Sequence, residues 1–227
     1  LNRLPRICST LARRSSSLRV SCVPPHICGR DVPVGMEFAL VGAPGSDVTL
    51  RLDYRAFAYA GKFVLGGPGK AVLRTPDGSP AVPEWEPDEP LSPAVDERAL
   101  DHDVVAAVSF SPDRTDPDRC RIRYVTVHVA RRGEGLGPRL IDRTVDRLAS
   151  EGYDRVRIAV NNPFAYAALH KCGFAYTGER TGIAELELAR TVDSPADDDP
   201  DRHRAGLRAL READRDLDEV EEEFIAD

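Results

Sequence analysis

Hydrophobic and polar positions change their period several times along the chain, and each change predicts an element. From Met36, "MEFALVGA" is an apolar run of strand length, and "DVTLRLDY" alternates so that Val48, Leu50 and Leu52 share one face. "GKFVLGGPGKAVLR" holds two short apolar runs around Gly66-Gly67-Pro68-Gly69 and predicts a hairpin. Between these, "RAFAYA" suits a short helix or more strand. Residues 75–93 are dominated by proline and acids, which predicts a surface loop. Its Trp85, the only tryptophan, is expected to pack back on the domain or to line a pocket. "DVVAAVSF" and "RCRIRYVTVHV", joined by the polar "SPDRTDPD", predict a second hairpin. Three glycines then recur at every second position, and the apolar spacing becomes helical to about Ser150. "DRVRIAV" alternates as a strand through Val156, Ile158 and Val160, "NPFAYAALHKC" makes a short helix closed by Gly173, and "FAYTGERTGIAELELAR" supplies a last strand pair.

These elements add up to a mixed α/β class: a central, largely antiparallel sheet with one parallel strand–helix–strand crossover. The 227 residues suit one domain with extensions, placed at residues 36–190, with residues 1–35 and 191–227 outside it. A domain of that size buries roughly 70% of its unfolded surface, enough for a core without disulfides or metal. No apolar run approaches the roughly 18 residues that would span a membrane, so a soluble protein is expected.

Charge sharpens the division. Residues 1–35 hold six arginines and one acid, Asp31, whereas the remainder holds 25 basic and 37 acidic residues. The tail after Arg190 alone has 14 acids against five arginines, with Leu207, Leu210, Leu217, Val220 and Phe224 at helical spacing. Such a tail could dock on the domain or pair with another copy as a homodimer, but it is read as a solvated, partly ordered tail. The basic residues are nearly all Arg, with Lys62, Lys70 and Lys171 as the only lysines. An Asp-rich, Lys-poor surface suits a halophilic protein in a salty cytoplasm, and GC-rich coding would also favour Arg. The acidity argues against nucleic-acid binding.

The Arg/Ser character of residues 1–35 matches nothing downstream, and the only methionine, Met36, directly precedes the first strand-like run. That segment is read as an upstream extension outside the fold. Its Cys8, Cys22, His26 and Cys28 match no zinc spacing, and no metal site is expected. Cys120 and Cys172 then remain, consistent with a reducing cytosol.

The glycine turn carries the chemistry. Gly133, Gly135 and Gly137 let the backbone turn sharply and approach a ligand, because no Cβ intervenes. The helix that follows begins with free amides and the positive end of its dipole, which together suit a phosphate. Arg131 and Arg132 precede the turn, and Arg139 and Arg143 could flank it from the helix. A dinucleotide fingerprint would need G-x-G-x-x-G after the first strand of a strand–helix repeat; here the glycines run G-x-G-x-G and follow hairpins. Coenzyme A is the other diphosphate reading.

The segment resembles the signature of the GNAT acetyltransferases. Their R/Q-x-x-G-x-G/A motif is matched by Arg132-Gly133-Glu134-Gly135-Leu136-Gly137, with Val127 at the apolar strand position five residues earlier. Downstream, the family's N-x-x-A followed by a short helix and G-F is matched by Asn162, Ala165, Gly173 and Phe174. The resemblance covers Val104 to about Arg190. It implies that backbone amides from Arg132 to Gly137 hold the pyrophosphate of acetyl-CoA. It also implies that the strand end at Val127 and Val129 pairs with the pantetheine where it splays from the next strand, close to Asn162. An acceptor amine, on a small molecule or a protein, would attack the acyl carbonyl directly, with a base for its proton and an acid for the thiolate.

The acid position departs from the family: where it carries Tyr, this chain has Leu169, with His170 adjacent and Tyr166 one turn earlier. Tyr166 and His170 are therefore the catalytic candidates. His128 alternates with the strand valines, faces the opposite side, and is read as a satisfied histidine between sheet and helix. The family's water-relaying Glu has no counterpart in "RCRIRY"; Asp101, His102 and Asp103 are substitutes for the base. Two functions follow. One is an acetyl-CoA-dependent N-acetyltransferase. The other is an acyl-CoA-binding module with weakened chemistry, sensing or scaffolding through its acidic tail. Deletion after Arg190 separates them, since a scaffold loses its partner and an enzyme keeps its turnover.

Overall fold

The computed structural model describes residues 32–182, 185–193, 199–213 and 217–226. Residues 1–31, including the cysteine and histidine cluster of the extension, lie outside them. Seven strands form one sheet in the order β1-β2-β3-β4-β5-β7-β6. In chain order these are β1 (Glu37–Gly42), β2 (Gly69–Arg74), β3 (Val104–Pro112), β4 (Arg119–Val127), β5 (Arg155–Val160), β6 (Ala175–Thr181) and β7 (Glu185–Thr191). All neighbours are antiparallel except β4 and β5, whose parallel pairing is bridged by helix α2 (Leu136–Ser150). The mixed class and its single crossover are as the sequence pattern predicts.

Both faces of the sheet are covered near β1 to β4, which explains why the first strands are apolar throughout. Leu40, Ala71, Leu73, Val105 and Val108 face one core, together with Leu140 and Leu148 of α2 and Leu169 of helix α3 (Pro163–Lys171). Val72 and Ala107 face the other, against Leu50, Leu52, Phe57 and Phe63. The two segments expected to supply more strand instead build that second layer. Residues 48–53 run extended without joining the sheet: Leu50 N–H donates to Phe63 O, and Asp101 N–H donates to Arg51 O. Their alternation reports burial of one face, which a segment lying across a sheet needs as much as a strand within it. The expected hairpin at 61–74 is half helix. Its first arm is the single turn α1 (Ala60–Phe63), and only its second arm is strand. The five-residue link 64–68 leads into Gly69, where a Cβ would stand 2.5 Å from the Phe110 ring.

Lys70 anchors this layer. Its side chain is fully buried, and its ammonium donates to the carbonyls of Val48 (2.7 Å), Leu65 (2.8 Å) and Pro68 (3.2 Å). Burial draws its pKa below the ordinary lysine value.

Beyond β7, helix α4 (Pro200–Arg211) packs on β6, β7 and α3, and α5 (Glu219–Ala226) packs on α3 and α4. Of the tail's helical-spaced apolar residues, Leu210 is fully buried, Leu207 and Leu217 are half-buried, and Val220 stays exposed. Phe224 closes over Phe164 of α3 at 4.7 Å between ring centroids. The described tail residues thus dock on the domain rather than staying solvated as expected, because Leu210 and its neighbours bury their apolar face on β6, β7 and α3. No helix among the described residues is long and apolar enough to cross a membrane.

Candidate functional site

The site begins with a strand that outruns its neighbour. Parallel pairing of β4 with β5 stops at Ile122 and Ile158, while β4 continues to Val127 against β3. A bulge at Arg123, between the pairs Ile122–Phe110 and Tyr124–Ser109, shifts the parity of the strand. Cys120 and Ile122 before it, and Val125 and Val127 after it, therefore pack on the same core. His128 N–H donates to Val105 O of β3 at 2.9 Å. By antiparallel alternation, Val125 and Val127 point their N–H and C=O away from β3, into the opening beside β5.

The strand ends sooner than expected. Val129 lies past it, in a short 3-10 turn (Val129–Arg131), and its N–H donates to Ala56 O at 2.9 Å. The turn is capped by the preceding residue, since His128 Nδ1 accepts from Ala130 N–H at 3.2 Å. The glycine loop follows. Gly133 and Gly135 have φ of +84° and +73°, a left-handed conformation that glycine alone adopts without strain, and a Cβ on either would meet nothing within 4 Å. The space over the loop is open. The backbone N–H groups of Gly133, Glu134, Gly135, Leu136 and Gly137 have no acceptor among the described residues. Leu136 is buried, so its contribution to the loop is main chain only, and a Cβ at Gly137 would stand 3.5 Å from the Val127 side chain. Of the arginines, Arg131 is paired with Glu134 at 2.6 Å, whereas Arg132 is exposed and makes no ion pair among the described residues. The Nε of Arg143 is buried without a protein partner. Unbonded amides at a helix start, open space above two glycines and the exposed Arg132 guanidinium fit a pyrophosphate.

Across the opening stands α3. Asn162 is its N-cap, accepting from Ala165 N–H at 2.8 Å, which supplies a mechanical reason for the N-x-x-A spacing. The helix ends on Gly173 with a Schellman pair, Gly173 N–H to His170 O and Phe174 N–H to Leu169 O. Tyr166 is 1% exposed, and its hydroxyl donates to His203 O of α4 at 3.0 Å. His170, half-buried, stacks on His203 at 4.2 Å. Both side chains are therefore turned toward the tail helix. Leu169 lies in the core, 3% exposed.

A cleft of about 270 Å³ opens on the other face of the sheet, at the end of β4. His128 forms part of its wall, away from α2 rather than between sheet and helix. Its ring meets Trp85 at 4.7 Å and Phe57 at 5.2 Å, both edge-on. Burial holds its pKa below the ordinary imidazole value. Asp53 and Arg55 pair at 2.7 Å beside it, and His102 and Asp101 complete one rim. The sequence offered two signals for this cleft, a lone tryptophan in a proline loop and a histidine out of phase with the valines. It offered none for Asp53, at the end of a segment read as strand; Phe57 belongs to "RAFAYA", which suits a short helix or more strand, and a turn brings both residues in. Among the described residues no group of three or more potential ligands could hold a metal ion.

Residues 70–174 match the family model described as Acetyltransferase (GNAT) family. No curated protein matches the chain at a significant level. Similar solved structures include the N-acetyltransferase from Staphylococcus aureus Mu50, with 14% identity, a TM-score of 0.39, and coverage of 56% of this chain and 68% of that one. A GCN5-related N-acetyltransferase from Kribbella flavida has 19% identity and a TM-score of 0.38, over 55% of this chain and 67% of that one. A Bacillus subtilis acetyltransferase in complex with CoA has 14% identity and a TM-score of 0.37, over 55% and 76% respectively.

Proposed function

We propose, from the match of residues 70–174 to the family model described as Acetyltransferase (GNAT) family, that the chain transfers acetyl from acetyl-CoA directly to an amine on a small molecule or a protein. The observation that carries this reading is the opening of β4 from β5 past Ile122, ending on a loop of unbonded amides. Acetyl-CoA supplies an activated thioester. Gly133, Glu134, Gly135, Leu136 and Gly137 would hold its diphosphate through main-chain N–H groups, with Arg132 beside them. The outward N–H and C=O of Val127 would align the pantetheine arm, and an N–H on that edge would polarise the acyl carbonyl as charge develops on its oxygen. Val129 and Asn162 would border the same opening, Asn162 by fixing the start of α3.

An attacking amine must lose a proton, and the departing thiolate gains from one. Tyr166 and His170 are the side chains on α3 proposed for the thiolate. Since Tyr166 is bonded to α4, that role requires α4 to move aside. A thiolate is a good leaving group, so its acid contributes less to the rate than the alignment of the thioester does.

Calorimetric titration of acetyl-CoA into the full chain tests the reading, together with acetylation of a panel of amines. Micromolar binding is expected, abolished in Gly135→Trp, whose side chain would fill the open space above the loop. A folded Gly135→Trp protein that binds and turns over as the parent does would remove the loop from the coenzyme site.

A further inference from the structure

The cleft at the end of β4 has a definite chemistry of its own. Resting on the acetyl-transfer reading, we propose that it is the acceptor site and that it selects amines without a carboxylate: an ammonium carried on a flat apolar body.

Position comes first. His128, a wall of the cleft, is the residue after Val127, whose outward main chain is the proposed seat of the thioester. The Val129 N–H to Ala56 O bond ties the turn at residues 53–57 to that same point, so cleft and opening share one corner of the fold. An acceptor held against Phe57 and Trp85 would therefore lie next to the acyl group.

Shape comes second. Trp85 and Phe57 both stand nearly perpendicular to the His128 ring, and all three line the cleft, so a flat ligand can pack against aromatic walls. Trp85 can also receive a cation over its face. With the prolines of the 80–87 loop behind them, these walls are stiff and apolar.

Charge decides the class. Three carboxylates line the cleft, Asp53, Glu97 and Asp101, against one guanidinium, Arg55. That guanidinium is occupied: Nε and Nη2 donate to Asp53, and Nη1 donates to Glu89 O at 3.0 Å. It is not presented to a ligand's carboxylate. The Glu97 side chain is exposed and has no ion pair among the described residues. One oxygen of Asp101 takes Arg51 N–H at 2.6 Å, which leaves the other for a ligand. His128 adds a donor, because Nδ1 already accepts from Ala130 and the ring proton of the neutral imidazole is assigned to Nε2. An ammonium finds two open carboxylates in this cleft, Glu97 and Asp101; an amino acid would bring a carboxylate that these repel and that no free lysine or arginine lining the cleft offsets.

Trp85 is the single tryptophan of the chain, so its emission reports on the cleft alone and needs no coenzyme. The full chain is titrated with 2-phenylethylamine, benzylamine and cyclohexylamine, and with phenylalanine, which adds a carboxylate to the first, each with and without saturating coenzyme A. Coenzyme A binding is measured separately by calorimetry. The carboxylate-free amines are expected to shift Trp85 emission saturably, with phenylalanine at least about tenfold weaker. Glu97→Gln and Asp101→Asn are each expected to weaken amine binding roughly two- to fivefold, and added salt to weaken it further. Phenylalanine binding as tightly as phenylethylamine overturns the assignment, as does silence toward all three amines in a sample that binds coenzyme A. Amine binding without coenzyme binding would leave the cleft standing and remove the acetyl-transfer reading instead.

Discussion

The Tyr166 hydroxyl on α3 donates to the His203 carbonyl on α4 at 3.0 Å, and the two rings stack at 5.3 Å beside that bond. His170 also stacks on His203, at 4.2 Å. A tail helix outside the family match is thus interleaved with both α3 side chains that the sequence nominates for catalysis. The fit depends on a glycine. Gly206 faces Tyr166, and a Cβ there would collide with the hydroxyl and ring.

Gly206→Ala is therefore expected to loosen α4, at an overpacking cost of about 1–3 kcal/mol. Amide hydrogen exchange should quicken in α4 while β3 and β4 keep their protection. Equal acceleration in the central strands would mean that the tail and the sheet open as one unit.

His128 makes stability depend on pH. Burial lowers its folded-state pKa, the nearby Arg131 and Arg132 act in the same direction, and Asp53 opposes them. Above the unfolded value of about 6.5 both states are neutral and the contribution is complete. Below it only the unfolded chain takes the proton, so stability falls until the folded pKa is reached. Asn at 128 can offer Oδ1 to the Ala130 N–H without titrating. The urea midpoint of His128→Asn should drop less than that of the parent between about pH 7 and about pH 5. Parallel curves would mean that His128 titrates alike in both states.

Lys70→Met should be costly although it places an apolar side chain in an apolar layer. Three carbonyls, those of Val48, Leu65 and Pro68, would lose their donor at once. A loss of about 3–5 kcal/mol in chemical denaturation is expected. A loss under about 1 kcal/mol would show that water replaces the ammonium.

Asp142 on α2 and Arg190 on β7 pair at 2.6 Å with side chains only 4% and 11% exposed, and Arg190 also donates to Cys172 O at the end of α3. Asp142→Ala should cost about 3–5 kcal/mol, because it strands the guanidinium. Replacing both partners with Leu and Met should recover much of that loss. An additive double mutant would show that the two charges act independently.

Most of the sheet was legible because its strands are bounded by turns and by changes of apolar period, and the crossover because a helix stands between two strands. The helix ends were legible down to single residues: Asn162 caps α3, and Gly173, at φ +79°, closes it. The second layer was not. Alternation at Val48, Leu50 and Leu52 says that one face is buried, not whether the backbone joins a ladder, and the apolar run at Lys62 to Leu65 fits a helical turn as well as a strand. Lys70, which directly follows the predicted Gly66–Gly69 turn, proves to be the anchor of the layer.

The amino-acid sequence alone determined where the glycine loop lies and what it is made of, because that property is local: glycines at alternate positions, a following helix and a capped α3 need no distant partner. Only the tertiary structure decided which way the side chains around it are committed. Val127 opens to a ligand because β5 diverges from it, Val129 does not offer its N–H because Ala56 takes it, and Tyr166 is held by a helix almost forty residues further along the chain. The bulge at Arg123 turns His128 toward Trp85 and Phe57, from two other segments, and builds the cleft. Contacts between residues far apart in sequence are set by packing the whole layer, and no spacing along the chain encodes them.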